Sequence, residues 1–213
     1  MIEIITFHRS TNYGALLQSL SLKEFIEEKL KKKVLMAKYH PNKLLYAEFV
    51  RPLVTKKLTK LEQTLKKNIN IYRWKKKAFL NSNSNLNNEH KLNIYGSDEI
   101  WNFLNPYYGF SEYFFGKDDN KKKIAYAVSI GKATYEDLDN VQKDKIRNHL
   151  KQFHSISVRD DNTANFVNQL IGINPEIVVD PTLLSSSHIF DNENFNFKKD
   201  FILVYGSNFT SEE

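Results

Sequence analysis

One stretch decides the fold that this sequence predicts: Tyr95-Gly96-Ser97-Asp98-Glu99-Ile100-Trp101-Asn102. It continues Leu92 to Tyr95, a short apolar run that is typical of a buried strand. A strand that ends in glycine and small polar residues indicates a tight turn that opens a helix, capped here by Ser97 or Asp98. Such turns line the ligand crevice of open α/β sheets. The alternative is a structural role, in which Gly96 relieves a steric clash and Asp98 only caps the helix.

Apolar runs of strand length alternate with helical patterns along the rest of the chain. The first unit runs from Ile2–Phe7 through a polar loop to a helix that begins after Gly14, and then to a second strand at Val34–Tyr39. Its predicted apolar stripe is Leu22, Phe25, Ile26 and Leu30. This alternation favours an α/β fold, Rossmann-like, with a mostly parallel sheet flanked by helices. The predicted strands are Ile2–Phe7, Val34–Tyr39, Leu92–Tyr95, Lys123–Ile130, Ser155–Val158 and Glu176–Val179.

Composition bounds the classes of protein that remain. The 213 residues suit one large domain or one and a half, and they include no cysteine, which excludes disulfides and cysteine-ligated metals. We predict no metal site. The N-terminus lacks a basic region that would begin a signal peptide, and no apolar run approaches the roughly 20 residues of a membrane span. The sequence therefore predicts a cytoplasmic protein.

Positive charge is concentrated in one segment. Lys43 to Lys91 holds 12 basic and 3 acidic residues, a surplus of +9, so the rest of the chain carries −3 of the net +6. A basic segment on a mildly acidic body indicates an anionic partner, such as a membrane surface, a phosphorylated substrate or nucleic acid. The alternative is a solvated face with no partner.

The same basic segment, about residues 41–91, is predicted to be a helical insertion between the second and third strands. An apolar stripe of Leu58, Leu61, Leu65, Ile69 and Tyr72 indicates a helix that docks onto its own domain, and Asn81 to Asn88 is predicted to be an exposed connector. The alternative is that Lys56 to Lys77 lies on an anionic membrane surface. Nucleic-acid binding is not favoured, because no recognition motif accompanies the lysines.

Three predicted strand ends carry polar groups that should meet at one edge of the sheet, because parallel strands share their carboxyl ends. Arg159 suits a phosphate or carboxylate, although an ion pair with Asp160, Asp161 or Asp180 is the alternative. The loop before the first helix can hold an anion on its backbone N–H groups, or it can simply form a turn. His8 is a candidate catalytic residue. The predicted substrate-binding residues are Asn12, Tyr13, Gly14, Gly96, Ser97, Asp98, Trp101, Ser129, Gly131 and Arg159.

Five motifs, in one order along the chain, resemble the N-terminal half of the polysaccharide pyruvyl transferases. They are His8-Arg9-Ser10-Thr11-Asn12-Tyr13-Gly14-Ala15, Gly96-Ser97-Asp98-Glu99-Ile100-Trp101-Asn102, Ile124-Ala125-Tyr126-Ala127-Val128-Ser129-Ile130-Gly131, Ile156-Ser157-Val158-Arg159-Asp160 and Val179-Asp180-Pro181-Thr182-Leu183-Leu184.

The resemblance implies an enzyme of glycosyltransferase-B-like architecture, in which two Rossmann-like domains enclose a cleft. Residues 1–184 would be the N-terminal domain, 185–199 a linker, and 200–213 the start of a truncated second domain. The implied reaction transfers a pyruvyl group from phosphoenolpyruvate to a glycan or a lipid-linked sugar, and it needs no cofactor. The implied location of the enzyme is the cytoplasm, either free or at the inner face of the membrane.

The same resemblance places the acid/base histidine of this family in the C-terminal domain. None of the six histidines, His8, His40, His90, His149, His154 and His188, matches it. We therefore expect that this chain alone does not turn over phosphoenolpyruvate. The alternative function is that of a non-catalytic, truncated homologue that binds a glycan or an anion.

Overall fold

The computed structural model describes residues 1–39, 42–55, 58–79, 91–117 and 120–184. Three predicted parts lie outside the described residues: the connector at Asn81 to Asn88, the linker at 185–199, and the second-domain segment at 200–213. The domain boundaries therefore stay predictions.

Six strands of the described residues form one parallel sheet, which confirms the predicted α/β, Rossmann-like class. Every predicted strand is present. Four of them end two or three residues earlier than predicted, all at the carboxyl edge of the sheet. The strands are β1 (Ile2–Ile5), β2 (Val34–Met36), β3 (Leu92–Tyr95), β4 (Lys122–Val128), β5 (Ser155–Val158) and β6 (Glu176–Ile177).

The order of the strands across the sheet is β2-β1-β3-β4-β5-β6. The sheet therefore grows from β1 in one direction with β2 and in the other with β3. Where the strand order reverses in this way, the loops that leave the two neighbouring strands diverge and open a crevice. This position is called the switch point, and ligands of open α/β folds bind there. The topology thus places the crevice at the carboxyl ends of β1 and β3.

Two apolar layers cover the two faces of the sheet. One face carries α1 (Tyr13–Leu30) and α4 (Leu58–Ala78), and the other carries α5 (Asn140–Leu150) and α6 (Asp161–Ile171). Alternate strand residues face opposite layers. Of the predicted α1 stripe, Leu22 and Ile26 are buried, whereas Leu30, at the end of the helix, is exposed.

The described residues of the basic insertion form helices that pack on the domain. These are α2 (Asn42–Leu45), a π-helical turn (Tyr46–Val50), α3 (Arg51–Thr55) and α4. The predicted contact face of α4 is wrong in its second half, because Ile69 and Tyr72 are exposed while Asn68, Ile71 and Phe79 are buried. The inward face is partly polar because α4 contacts the apolar sheet and also the polar loop at residues 9–12, between β1 and α1. We call residues 9–12 the first loop.

The helix predicted to follow Gly96 does not form. Asp98 has a left-handed backbone (φ 81°), and its carbonyl accepts from the Ser129 N–H at 3.0 Å. The Trp101 N–H in turn donates to the Ser129 carbonyl at 3.2 Å. These bonds join the chain after β3 to the end of β4, so the same backbone groups do not enter helical i to i−4 bonds. Among the helices of the described residues, none is both long and apolar enough to span a bilayer.

Candidate functional site

Gly96 sets the shape of the crevice where β3 ends. Its backbone has φ +127°, and a Cβ atom built there would lie 2.0 Å from the carbonyl oxygen of Tyr126 on β4. No side chain fits at that distance. Glycine therefore allows the chain to turn into the crevice while it stays in contact with the neighbouring strand.

A buried polar network beneath the crevice joins β1, α1 and β3. Thr6 Oγ1 donates to the Ser97 carbonyl (2.9 Å), and Ser97 Oγ donates to Gln18 Oε1 (3.0 Å). Gln18 Nε2 donates to Thr6 Oγ1 at 2.9 Å, which closes the ring of bonds. All three side chains are buried. A fully bonded buried network holds its members in one arrangement, so the floor of the crevice is preorganised.

A cavity of about 730 Å³ occupies the switch point. Its walls come from the first loop, from the inserted helices and from the loop that follows β3. The side chains around it are mixed in character: aromatic rings, amides, two cations and several carboxylates. The lining residues are Phe7, Ser10, Thr11, Asn12, Ala15, Leu44, Ala47, Glu48, Arg51, Thr64, Lys67, Asn68, Asp98, Glu99, Asn105, Tyr107 and Tyr108.

Two predicted substrate-binding residues, Asn12 and Asp98, lie in this wall. Asn12 also caps α1, since its Oδ1 accepts from the Ala15 N–H at 3.2 Å. Tyr13 and Gly14 form the exposed first turn of that helix. The ring of Tyr13 has the ammonium of Lys67 4.8 Å from its centre, so a cation of the inserted helix reaches the same end of α1.

Four other predicted residues, Ser97, Trp101, Ser129 and Gly131, support the crevice from behind its wall. Ser97 belongs to the buried network. Trp101 is completely buried, and its indole N–H donates to the Phe114 carbonyl at 2.8 Å, so the indole is part of the core. Ser129 is also buried, and its Oγ accepts from the Gly131 N–H at 2.9 Å. Gly131 (φ +62°) is confined by Glu99, because a Cβ atom there would lie 2.5 Å from Glu99 Oε2.

Arg159 reaches the sheet edge, where it forms the ion pair that was its alternative role. Its Nη1 donates to Asp180 Oδ2 at 3.0 Å, and Ser97 Oγ is 3.5 Å from the same oxygen. The other oxygen of Asp180 accepts from the Thr182 N–H and hydroxyl. Asp180 thus ties the end of β6 to the ends of β3 and β5, and about a quarter of each side chain of the pair remains exposed.

Asp98 is the lining carboxylate with the most altered electrostatics. Burial raises the pKa of its carboxyl, and this effect outweighs the opposing influence of the Glu99 N–H and of Arg159. Asp98 Oδ1 accepts from the Glu99 N–H at 2.8 Å. A carboxyl group with a raised pKa is a better proton donor near neutral pH than an ordinary aspartate.

Tyr108 forms an aromatic wall beside Asp98. Its ring stacks on Phe7 with 3.8 Å between the centroids, and its backbone N–H donates to Asn105 Oδ1 at 3.2 Å. Burial raises the pKa of its hydroxyl, and the nearby carboxylates Glu48 and Asp98 add to the effect. The phenol therefore keeps its proton and can donate a hydrogen bond.

The inserted helices brace the first loop through polar contacts that sequence reasoning missed. Glu48 Oε1 accepts from the Thr11 N–H at 2.6 Å, and Asn68 Nδ2 donates to the Glu48 carbonyl at 2.6 Å. Lys75 Nζ donates to the carbonyls of Arg9 (2.6 Å) and Ser10 (3.2 Å). The one available signal was the repeat of polar residues Asn68 and Lys75 seven positions apart, which places them on one helix face.

His8 is buried below the first loop. Its Nδ1 lies 3.2 Å from the Thr6 carbonyl, and its ring packs edge-on against Phe79 with 5.7 Å between centroids. Within the described part of the chain, the neighbours Phe7 and Ser10 line the cavity and His8 does not. The structure therefore places His8 between the loop and α4.

A comparison with known protein families gives one match. The family model described as polysaccharide pyruvyl transferase matches residues 12–210, which is most of the chain. No curated protein matches the chain significantly, and neither does any solved structure. The matched range includes Asn12, the inserted helices, the loop that follows β3 and the Arg159–Asp180 pair.

Proposed function

Because the chain belongs to the polysaccharide pyruvyl transferase family, we propose that it transfers the pyruvyl group of phosphoenolpyruvate to a sugar of a cell-surface polysaccharide. The acceptor in this proposal binds in the switch-point cavity, and the phosphoenolpyruvate anion binds toward Arg159. The observation that carries the proposal is the position of this cavity in a chain whose family is known.

The proposed reaction forms a ketal from two sugar hydroxyl groups. The methylene carbon of phosphoenolpyruvate gains a proton and becomes a methyl group, and both hydroxyl oxygens bond to the central carbon. The bond between that carbon and the phosphate oxygen breaks, and phosphate leaves. The two hydroxyl protons are conserved, one in the methyl group and one on phosphate. Such a reaction needs an acid, a base and cations that hold two anionic groups.

The wall chemistry of the cavity suits a sugar. Tyr107 and Tyr108 offer ring surfaces, while Asn105 and Asn68 offer amide groups that both donate and accept. Sugars combine apolar ring faces with many hydroxyl groups, and a concave site with aromatic walls and a few fixed polar groups is suited to bind them. In this proposal the carboxyl of Asp98 contacts a reacting hydroxyl or supplies the proton.

The proposal is tested with the purified chain, phosphoenolpyruvate and a panel of oligosaccharide acceptors. In this proposal the carboxyl of Asp98, whose pKa burial raises, takes the acid role of the histidine that has no counterpart here. Contrary to the expectation from the resemblance, we therefore expect phosphate release that depends on the acceptor, together with an equal amount of a ketal methyl signal in the proton NMR spectrum. Phosphate release without any acceptor-dependent ketal would contradict the proposal.

The alternative is a glycan- or anion-binding protein without turnover, and the Arg159–Asp180 ion pair is the observation that favours it. A guanidinium already paired with a carboxylate has less charge to offer an incoming anion. Saturable glycan binding by calorimetry, with no ketal after prolonged incubation, would identify this alternative.

A further inference from the structure

The helical turn next to the cavity exposes a row of apolar side chains. Tyr46 is 55% exposed, Val50 43%, Leu53 55% and Val54 78%. They follow one another at intervals of four, three and one residues, through the π-helical turn and α3. We call these four residues the apolar row. Single exposed apolar side chains are ordinary, but a contiguous row on one short helical segment indicates a partner.

The insertion that carries the apolar row is rich in exposed positive charge. Lys43 and Arg51 lie on the same helical segment and are exposed. On α4, the exposed cations are Lys66, Lys67, Arg73, Lys76 and Lys77, against one exposed carboxylate, Glu62. Apolar side chains among lysines and arginines are typical of a segment that binds the interface of an anionic bilayer. A second copy of this chain would bring the same cations together, and their repulsion opposes such a dimer.

A groove lies next to both the apolar row and the cavity. This groove, about 580 Å³, is lined by Lys43, Tyr46, Ala47, Arg51, Pro106 and Tyr107. Three of those residues, Ala47, Arg51 and Tyr107, also line the switch-point cavity. The groove therefore lies directly beside the cavity, and the two share one wall.

We propose that the apolar row seats this protein on an anionic lipid bilayer, with the groove directed to a lipid-linked sugar acceptor. The bilayer contact is inferred from exposure and charge alone, whereas the lipid-linked acceptor rests on the proposed function. The apolar row enters the boundary between headgroups and acyl chains, and the lysines and arginines contact lipid phosphates.

The test is co-sedimentation of the full chain with vesicles of phosphatidylcholine, with or without phosphatidylglycerol. We expect binding only to the anionic vesicles, and weaker binding as added salt shortens the screening length. The double variant Leu53→Ser/Val54→Ser should bind at least about tenfold more weakly, because each side chain loses its apolar burial in the bilayer.

Two matched controls separate the bilayer contact from general effects. Val141→Ser on α5 removes an apolar side chain that is 64% exposed, and it should leave vesicle binding unchanged. Arg73→Glu/Lys77→Glu should weaken binding to anionic vesicles, whereas Lys132→Glu/Lys151→Glu, at exposed positions outside the insertion, should weaken it less.

Three results would overturn the bilayer contact: equal binding to neutral and anionic vesicles, unchanged binding of Leu53→Ser/Val54→Ser, or a parent dimer in light scattering that this variant converts to a monomer. Competition by single-stranded DNA together with unchanged binding of the serine variant would indicate a polyanion partner instead.

The inference of a lipid-linked acceptor is tested separately, by comparing a soluble oligosaccharide with a lipid-linked sugar in vesicles. The serine variant should keep the parent rate with the soluble acceptor and lose rate with the vesicle acceptor. If the serine variant matched the parent rate with both acceptors, the lipid-linked acceptor would be ruled out. If the parent transfers pyruvyl to neither acceptor while vesicle binding behaves as expected, the proposed function fails and the bilayer contact stands.

Discussion

Asp98 combines two properties that structural residues seldom share: a left-handed backbone without glycine, and a carboxyl whose pKa is raised by burial at the wall of a cavity. A non-glycine residue in this conformation costs roughly 1–2 kcal/mol. A residue that keeps such a strained backbone beside a ligand-sized cavity indicates a role in binding or catalysis.

We therefore predict that Asp98→Asn lowers the rate of ketal formation by about 10²–10⁴, the usual effect of losing a general acid. The asparagine keeps the acceptor oxygen for the Glu99 N–H, so the fold should be maintained. The control is Asp144→Asn on α5, an exposed aspartate. If Asp98→Asn kept the parent rate, Asp98 would not be the general acid.

The same variant has a predicted signature in the pH dependence of stability. Because the pKa of Asp98 is raised in the folded state, the folded chain binds the proton more tightly than the unfolded chain does, whose aspartate titrates near 3.8. Asp98 therefore destabilises the parent as the pH rises from about 3.8 through the folded pKa. Urea unfolding over this range should show the variant gaining stability relative to the parent. A difference independent of pH would contradict the burial effect.

Gly96 gives the second prediction at this scale. Gly96→Ala should destabilise the chain by more than about 3 kcal/mol, because strain at a forbidden backbone conformation adds to a clash with the Tyr126 carbonyl. Gly172→Ala is the matched control: its φ is also positive, at 75°, but nothing lies within 4 Å of the added atom. Urea unfolding should show only about 1–2 kcal/mol lost there. Similar losses of stability in both variants would show that the structure shifts enough to remove the clash with the Tyr126 carbonyl.

The positions of individual residues around the crevice were predictable from the sequence only where strand ends marked them. Gly96, Asp98 and Arg159 follow apolar runs, and the parallel arrangement brings those ends to one edge. Gln18, Glu48 and Tyr108 carry no such local mark, because their positions depend on how α1, the inserted helices and the loop after β3 pack. Trp101 was expected at the surface of the crevice, but a large indole that follows a tight turn was equally able to enter the core.

Lys75 shows how one helix positions a distant loop. Lys75→Met should release the carbonyls of Arg9 and Ser10, so backbone amides of residues 9–12 should exchange with deuterium several-fold faster, as expected for a loop that opens locally. The sheet amides of β3 and β4 should be unaffected. Lys76→Met, at the exposed neighbouring position, is the control. Unchanged exchange in Lys75→Met would mean that Glu48 alone holds the loop.

Glu112 links the turn at Glu112–Phe115 to α5. Hydrogen bonds from His149 and Lys145 lower the pKa of its carboxyl, so the stabilisation is complete above the unfolded pKa near 4.5 and is lost as the pH falls through the folded pKa. Glu112→Gln should lose less than about 1 kcal/mol at neutral pH, and the difference from the parent should vanish in acid. Glu136→Gln, at an exposed carboxylate, is the control for urea unfolding. A loss that persists in acid would contradict the ionic origin.

At the scale of elements, apolar periodicity predicted strands better than helix faces. Each strand was predicted because a short apolar run has few other ways to be buried. The helix after Gly96 was predicted wrongly because Asp98 and Trp101 bond to Ser129, which lies 28 residues beyond Trp101. The contact face of α4 was also predicted wrongly, since the first loop offers carbonyls that only polar residues such as Lys75 can satisfy.

At the scale of the molecule, the cavity lies between a sheet edge and an insertion, so it can be filled from the insertion side. Ala47→Trp should raise the KM for the sugar acceptor at least about tenfold, because the indole occupies space in the cavity. The KM for phosphoenolpyruvate should change less, because Arg159 lies beyond the lining. Asn70→Trp, on the exposed side of α4, is the control in steady-state kinetics. Equal changes in both KM values would indicate that both substrates bind in this cavity.

The parallel pairing of β1 with β3 also has a consequence for synthesis on the ribosome. Ile2 pairs with Leu92, so the first strand is made 90 residues before its partner on one side. At roughly 5–20 residues per second, β1 waits about 5–18 seconds with β2, α1 and the inserted helices, but not β3, available to cover it. During that interval its open edge is a site for wrong pairing, and a nascent chain of this protein is a natural client for chaperones that bind short apolar segments near the exit tunnel.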